Sequence, residues 1–183
     1  PNLELDAIGA TFYKCDAHST PAEFMSDLKK YLLKNGVEIL KGQKVVDIDL
    51  KDNKIIAVKS NKGLVSGDEF VLAAGSWTGL IAKKLGMQLL LQAGKGYNIN
   101  VARETKIKYP AILAEAKVAV TPMNGFTRFA GTMEINKIND DVNPVRVKAI
   151  AKAATDYYPK VVIENEEIKN AASGLRPLSP DGL

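Results

Sequence analysis

The sequence predicts a mixed α/β (α+β) fold built from two interleaved parts. Three observations predict it: a capped amphipathic helix near residue 21, a series of short strand patterns separated by turn chemistry, and a change of texture near Gly86 that reverses near Ser173. The 183 residues are 46% hydrophobic and 25% charged, with a mean hydropathy of −0.08, 14 Gly and 8 Pro. That composition belongs to a globular chain rather than a disordered, collagenous or disulfide-stapled one. The longest apolar run, around Leu89–Leu91, falls far short of the ~18 residues that a membrane helix needs.

The helix is expected over Pro21–Asn35. Thr20 and Glu23 fit a capping box, Pro21 fits the first helical position, and Gly36 fits a left-handed stop. Phe24, Met25, Leu28, Tyr31 and Leu32 share one face, which should pack. Strands are expected at Val37–Leu40, Val45–Leu50 and Lys54–Ser60, and around Gly67 ending in Phe70–Ala74, with Asp52-Asn53 and Asn61-Lys62-Gly63 turning an antiparallel meander. A helix over Thr78–Leu85 should end at Gly86. Beyond it, Leu89–Gln92, Tyr97–Val101, Ala111–Glu115, Val118–Thr121 and Thr127–Met133 read as a mostly antiparallel sheet, with a hairpin turn around Met123. Asn143 should cap a helix over Pro144–Tyr158, stopped by Pro159, and a last strand is expected over Ile168–Ala172.

Chemistry-bearing residues are few. One Cys and one His argue against an internal disulfide, a histidine metal site or a Ser-His-Asp triad. Cys15 reads as a packed small residue, and His18 as a loop or capping residue. The net charge of +4 and pI near 9.0 come from lysines interleaved with acids, without the basic stripe and stacking aromatics of a nucleic-acid binder. No nucleic-acid partner and no metal are expected.

Val71–Trp77 reads as a buried strand emptying into small residues, where a ligand can approach the backbone, or simply as a strand leading into a helix. Gly94-Lys95-Gly96 is not a dinucleotide fingerprint, because Ile99 stands where the third glycine belongs. Any pyrophosphate loop lies outside this chain or does not exist. Gly174–Gly182 places two prolines, two glycines and an Asp-Gly turn around Arg176. Such an arginine suits bidentate carboxylate recognition, or it is a solvated residue of a surface turn. The start at Pro1 and the stop within Ser179–Leu183 suggest a piece of a longer protein.

Four blocks in order resemble the D-amino-acid oxidase superfamily of FAD-dependent amine oxidoreductases, nearest its bacterial D-amino-acid dehydrogenase branch. They are the Thr20-Pro21 helix start before a meander, Val71–Trp77, Lys95-Gly96-Tyr97, and Gly131-Thr132-Met133-Glu134 followed by Gly174–Gly182. The resemblance implies part of an FAD-binding Rossmann-like domain (17–86, returning at 173–183) interleaved with a mixed-sheet substrate domain (1–16 and 87–172). It implies FAD as cofactor, with the phosphate loop and the flavin-facing C-terminal helix outside this chain, so that the fragment alone should be inactive. By resemblance Val45 meets adenine, Ala73, Ala74, Gly75 and Trp77 pass beside the dinucleotide, and Gly174, Asp181 and Gly182 lie on the cofactor side. Arg176 pairs with the substrate carboxylate. One position departs: a Tyr that helps hold the carboxylate in the oxidase branches is Ala119 here.

The implied activity is oxidation of a D-amino acid to the imine and keto acid by hydride transfer to flavin, with oxygen or a membrane quinone as acceptor. The implied location is cytoplasmic, peripheral on the inner face of the membrane. The alternatives are oxidation of N-methylated or other secondary amino acids, oxidation of 2-hydroxy acids, or a non-catalytic interaction module.

Overall fold

The computed structural model describes residues 4–181, with the backbone only at Asn136. The fold is mixed α/β, as the sequence predicts, and its sheets are antiparallel where the pairing is defined. The chain divides into two units. One comprises residues 4–24 and Ala93–Arg176; the other comprises Met25–Gln92 and residues 177–181. The sequence reading places the changes after residues 16, 86 and 172.

Helix α1 (Pro21–Lys34) begins and ends where proline and glycine direct it, with Gly36 at φ +81°. The expected capping box is not made. The Thr20 hydroxyl instead accepts the backbone N–H of Asn124 (3.1 Å), and Glu23 accepts the Asn124 side-chain amide (2.5 Å). Nor does the apolar face pack as expected: α1 buries no residue, and Phe24, Met25 and Tyr31 are more than half exposed. The described residues simply do not cover it.

Strands β1 (Val45–Lys51), β2 (Lys54–Ser60) and β3 (Gly63–Ser66) form the expected antiparallel meander. Asp52 and Asn53, at φ 49° and 61°, supply the left-handed pair that a two-residue hairpin matching strand twist requires. Residues 37–40 and 70–74 are not strands, in contrast to the sequence expectation, because neither segment finds a pairing partner among the described residues. A 3₁₀ turn at Gly75–Trp77 leads into α2 (Thr78–Ala82) and a second 3₁₀ turn at Lys83–Leu85, which Gly86 stops at φ +72°.

The other unit centres on a five-stranded sheet in the order β5-β6-β7-β4-β8. Its strands are β4 (Gln92–Val101), β5 (Ala111–Leu113), β6 (Val118–Met123), β7 (Phe126–Asn136) and β8 (Ala172–Leu178). Helix α3 (Pro144–Tyr157) covers one face. Its N-cap is Asn143, whose side chain accepts the Val145 N–H (3.0 Å). Val147, Ile150, Ala151 and Ala154 repeat at helical spacing and meet Tyr97, Ile99, Val101, Val118, Val120 and Phe129 to make the core. The expected strand at 168–172 is instead the short helix α4 (Asn165–Lys169) followed by β8. Reciprocal bonds between Glu164 and Glu167 cap that helix and favour it over a strand start.

The β4–β7 pairing contains a bulge. Lys95 opposes Glu134, but Tyr97 opposes Gly131, so Thr132 and Met133 together face Gly96. The extra residue inverts the alternation along β7. Before it, Thr127 and Phe129 point to α3; after it, Glu134 does. Thr132 sits at φ +53°, an outlier conformation for a β-branched residue. Gly131 lies against the β5–β6 connection so closely that a Cβ would stand 2.6 Å from the Lys117 carbonyl oxygen and 3.1 Å from Val118. Gly131→Ala is therefore expected to lower unfolding stability by about 1–3 kcal/mol through overpacking against backbone. Chemical denaturation checks this, and an unchanged midpoint contradicts it.

Candidate functional site

Each unit carries one group of candidate residues. In the first, residues 71–74 belong to no helix or strand, with Val71 91% exposed and Ala73 exposed. The Trp77 N–H donates to the Ala74 carbonyl (3.0 Å) and closes the turn. Gly75 stands at φ +55°, with no atom within 4 Å of where a Cβ would lie. The backbone at 73–75 is thus bordered by small side chains and open to close approach. The Ser76 hydroxyl beside it is buried and has no hydrogen-bond partner among the described residues. Trp77 is 45% exposed. Val45, the first residue of β1, lies in the same unit and is exposed. Lys84 pairs with Asp47 (3.6 Å) and ties the 3₁₀ turn after α2 to that strand. The Ile48 N–H, and then the Lys84 charge, hold the Asp47 carboxyl below the usual carboxylate range.

In the other unit, Arg176 lies on β8 rather than in the turn that Gly174–Gly182 suggested. The strand continues through Pro177, which the sheet tolerates because β8 is an edge strand, and the chain turns only at Pro180-Asp181. The Arg176 guanidinium is exposed and has no carboxylate partner among the described residues. Gly174 is exposed with open space beside its Cα, and Asp181 accepts the Ser179 hydroxyl. Gly182 lies outside the described residues. Cys15, expected to pack, is exposed on an irregular segment.

Ala119 and Ala130 are register partners, continued by Ile112 on one side and Asn98 on the other, in a row on the sheet face turned away from α3. The next row is polar: Thr121, Arg128 and Asn100. Sequence reasoning passed over Arg128. Its one signal was its place between the core residues Thr127 and Phe129, which assigns it to this second face.

Facing α3, the bulge assembles a polar cluster. The Tyr97 hydroxyl donates to Glu134 Oε1 (2.6 Å), and Arg146 Nε donates to Glu134 Oε2 (3.2 Å). Lys95 is buried, with Nζ donating to the Asn139 side-chain oxygen and to the Asp141 carbonyl (3.1 Å). This cluster joins the ends of β4 and β7 to the loop that enters α3.

The chain thus combines an antiparallel sheet backed by one helix with a smaller unit that carries an open small-residue turn. The family of FAD dependent oxidoreductases matches residues 1–183, and the chain belongs to it. Among curated relatives, the D-amino acid dehydrogenase of Helicobacter pylori is 29% identical, and the match covers 100% of this chain and 44% of the relative. The chain thus spans less than half the length of that relative. Among solved structures, glycine oxidase from Geobacillus kaustophilus has a TM-score of 0.72 at 19% identity, over 86% of this chain and 42% of that one. Glycerol-3-phosphate dehydrogenase from Bacillus halodurans, solved with FAD, also has a TM-score of 0.72, at 18% identity over 86% of this chain and 35% of that one. These likenesses show a shared fold. The small residues at Ala73–Gly75, with open space where a Gly75 Cβ would lie, leave room for the family's cofactor to approach the backbone.

Burial pushes the Tyr97 hydroxyl up to about 12 from its ordinary 10.0, and the hydrogen bond to Glu134 with its negative charge adds to the shift. The folded state therefore holds this proton more tightly than the unfolded chain does. Its contribution to stability is complete below about pH 10 and is lost as pH rises from there through about 12. Tyr97→Phe is expected to flatten this part of the alkaline stability profile, read from urea midpoints. An unchanged alkaline slope contradicts the assignment.

Proposed function

We propose that this chain is part of an FAD-dependent enzyme that oxidises a D-amino acid to its imine, which water hydrolyses to the keto acid. The observation that carries the reading is the exposed Arg176 guanidinium, without a carboxylate partner among the described residues, on an edge strand that Pro177 stiffens just beyond it. Family membership, and a D-amino acid dehydrogenase among the relatives, support the substrate class.

Arg176 would hold the α-carboxylate by two parallel charge-assisted hydrogen bonds, which fix the orientation of the α-carbon as well as its position. Ala73, Ala74, Gly75 and Trp77 would border FAD, with Gly75 letting the backbone approach it; Val45 would lie toward its adenine, and Gly174 and Asp181 on its side of the substrate. When bound, FAD supplies the two-electron acceptor for the α-carbon hydride. No side-chain base is required if the amine binds neutral, its proton having already left to solvent. The electron acceptor in this reading is oxygen or a membrane quinone.

Arg176→Ala in the full-length protein is expected to weaken substrate capture by about 3 kcal/mol, roughly a hundredfold in KM, the scale for breaking a desolvated charge pair. Steady-state kinetics with D-alanine and flavin content measured in parallel check this. Unchanged KM at normal flavin content contradicts the role of Arg176.

A further inference from the structure

Lys95, the first residue of the Lys95-Gly96-Tyr97 block, is 1% exposed on β4. Its Nζ donates to the Asn139 side-chain oxygen and to the Asp141 carbonyl (3.1 Å), and no Asp or Glu among the described residues pairs with it. A buried ammonium without a counter-charge is costly. A methionine of similar length would avoid that cost, but it could donate to neither oxygen. The two oxygens show what the charge accomplishes.

Both belong to the connection between β7 and α3. The Asn139 side-chain oxygen also accepts the Asp141 N–H (3.0 Å), which closes residues 139–141 into a tight turn. From the middle of that turn the Asp140 carbonyl accepts the Ser173 hydroxyl (3.3 Å). Ser173 lies on β8, an edge strand whose only neighbour among the described strands is β4. One buried cation thus ties the turn to β4, and the turn holds β8.

The same strand carries Arg176. The Asn98 side-chain amide donates to the Ala172 carbonyl (3.4 Å), and Arg103 pairs with Glu167 (2.5 Å). Arg103 and Glu167 stand equally far from Asn98 and Ala172, in opposite senses along the chain, so β8 runs antiparallel to β4. The same count carried the other way sets Lys95 level with Leu175, the residue before Arg176. Ser173 and Leu175 are half-buried and alternate with the exposed Gly174 and Arg176. Arg176 therefore points to the other face, and Lys95 acts on it only through the strand.

We infer that Lys95 is a positioning residue for Arg176: its ammonium fixes the 139–141 turn, the turn fixes β8 through Ser173, and β8 aims the guanidinium. The inference rests on the proposed reading of Arg176 as the carboxylate-binding residue, and deepens it by naming what holds that arginine in place. Lys95 touches no substrate, and no bond is made or broken at it. An edge strand has hydrogen-bonded support on one side only, so this second attachment sets how well the fork is oriented before a carboxylate arrives.

Titration calorimetry on the full-length, FAD-loaded protein tests this without turnover, with propionate and propionamide as probes at fixed ionic strength. Lys95→Met is expected to weaken propionate about 10-fold, the lower end of the scale for a misplaced binding group, and to leave propionamide unmoved. Lys95→Arg, which keeps the charge and the donors, should restore most of the affinity. Ser173→Ala breaks the same relay at its other end and should weaken propionate about 2- to 5-fold, the range for one neutral hydrogen bond; it decides the matter if Lys95→Met does not fold. Unchanged propionate affinity in Lys95→Met, or equal loss of both probes, overturns the positioning role. If Arg176→Ala still weakens propionate in that case, the carboxylate site stands without Lys95. If Arg176→Ala leaves propionate unmoved, the reading of Arg176 falls first and this inference with it.

Discussion

The pairing of β4 with β7 across the Thr132–Met133 bulge governs the sheet. One residue beyond strict alternation decides which side chains meet α3 and which turn away. Without it, Glu134 would point to the second face, and Tyr97 and Arg146 would lose their common acceptor. The left-handed backbone at Thr132 costs on the order of 1–3 kcal/mol. The hydrogen bonds gathered by Glu134 and Lys95 on either side of the bulge offset that cost and fix the register in which it occurs. Gly131 belongs to the same constraint, since only a residue without a Cβ lets β7 run so close to the Lys117 carbonyl.

The bulge also separates the work of the two faces. One face closes a dry core of valines, isoleucines and aromatics beneath α3. The other keeps a row of small residues beside a row of polar ones, carried on paired strands rather than on loops. The other unit contributes a different resource: an exposed backbone at Ala73–Gly75 with almost no side chain to obstruct it.

Much of this was legible in the sequence where a single residue dictates backbone geometry. Gly36, Gly86, Asp52-Asn53 and the Asn143 cap each act locally, and each sits where the local rule places it. The order of the motif blocks was legible too, and by itself it points to the family. What was hidden depends on distant partners. Thr20 and Glu23 carry a capping-box pattern, yet Asn124, over a hundred residues later, takes both side chains. The apolar run at 71–74 has strand composition but no partner strand among the described residues. Gly174–Pro177 looks like a turn because glycine and proline usually mean one, whereas a sheet edge accommodates both. Arg128 was invisible for a plainer reason: an outward polar residue in an alternating strand looks like any solvated position until its neighbours across the sheet are known. The bulge is a property of register, which one strand's sequence does not contain.

The most direct measurement is the visible spectrum of the purified full-length protein under anaerobic conditions, before and after addition of D-alanine or L-alanine. The account predicts oxidised flavin bands that bleach with the D isomer and persist with the L isomer. A protein that carries no flavin, or one bleached equally by both isomers, would contradict it.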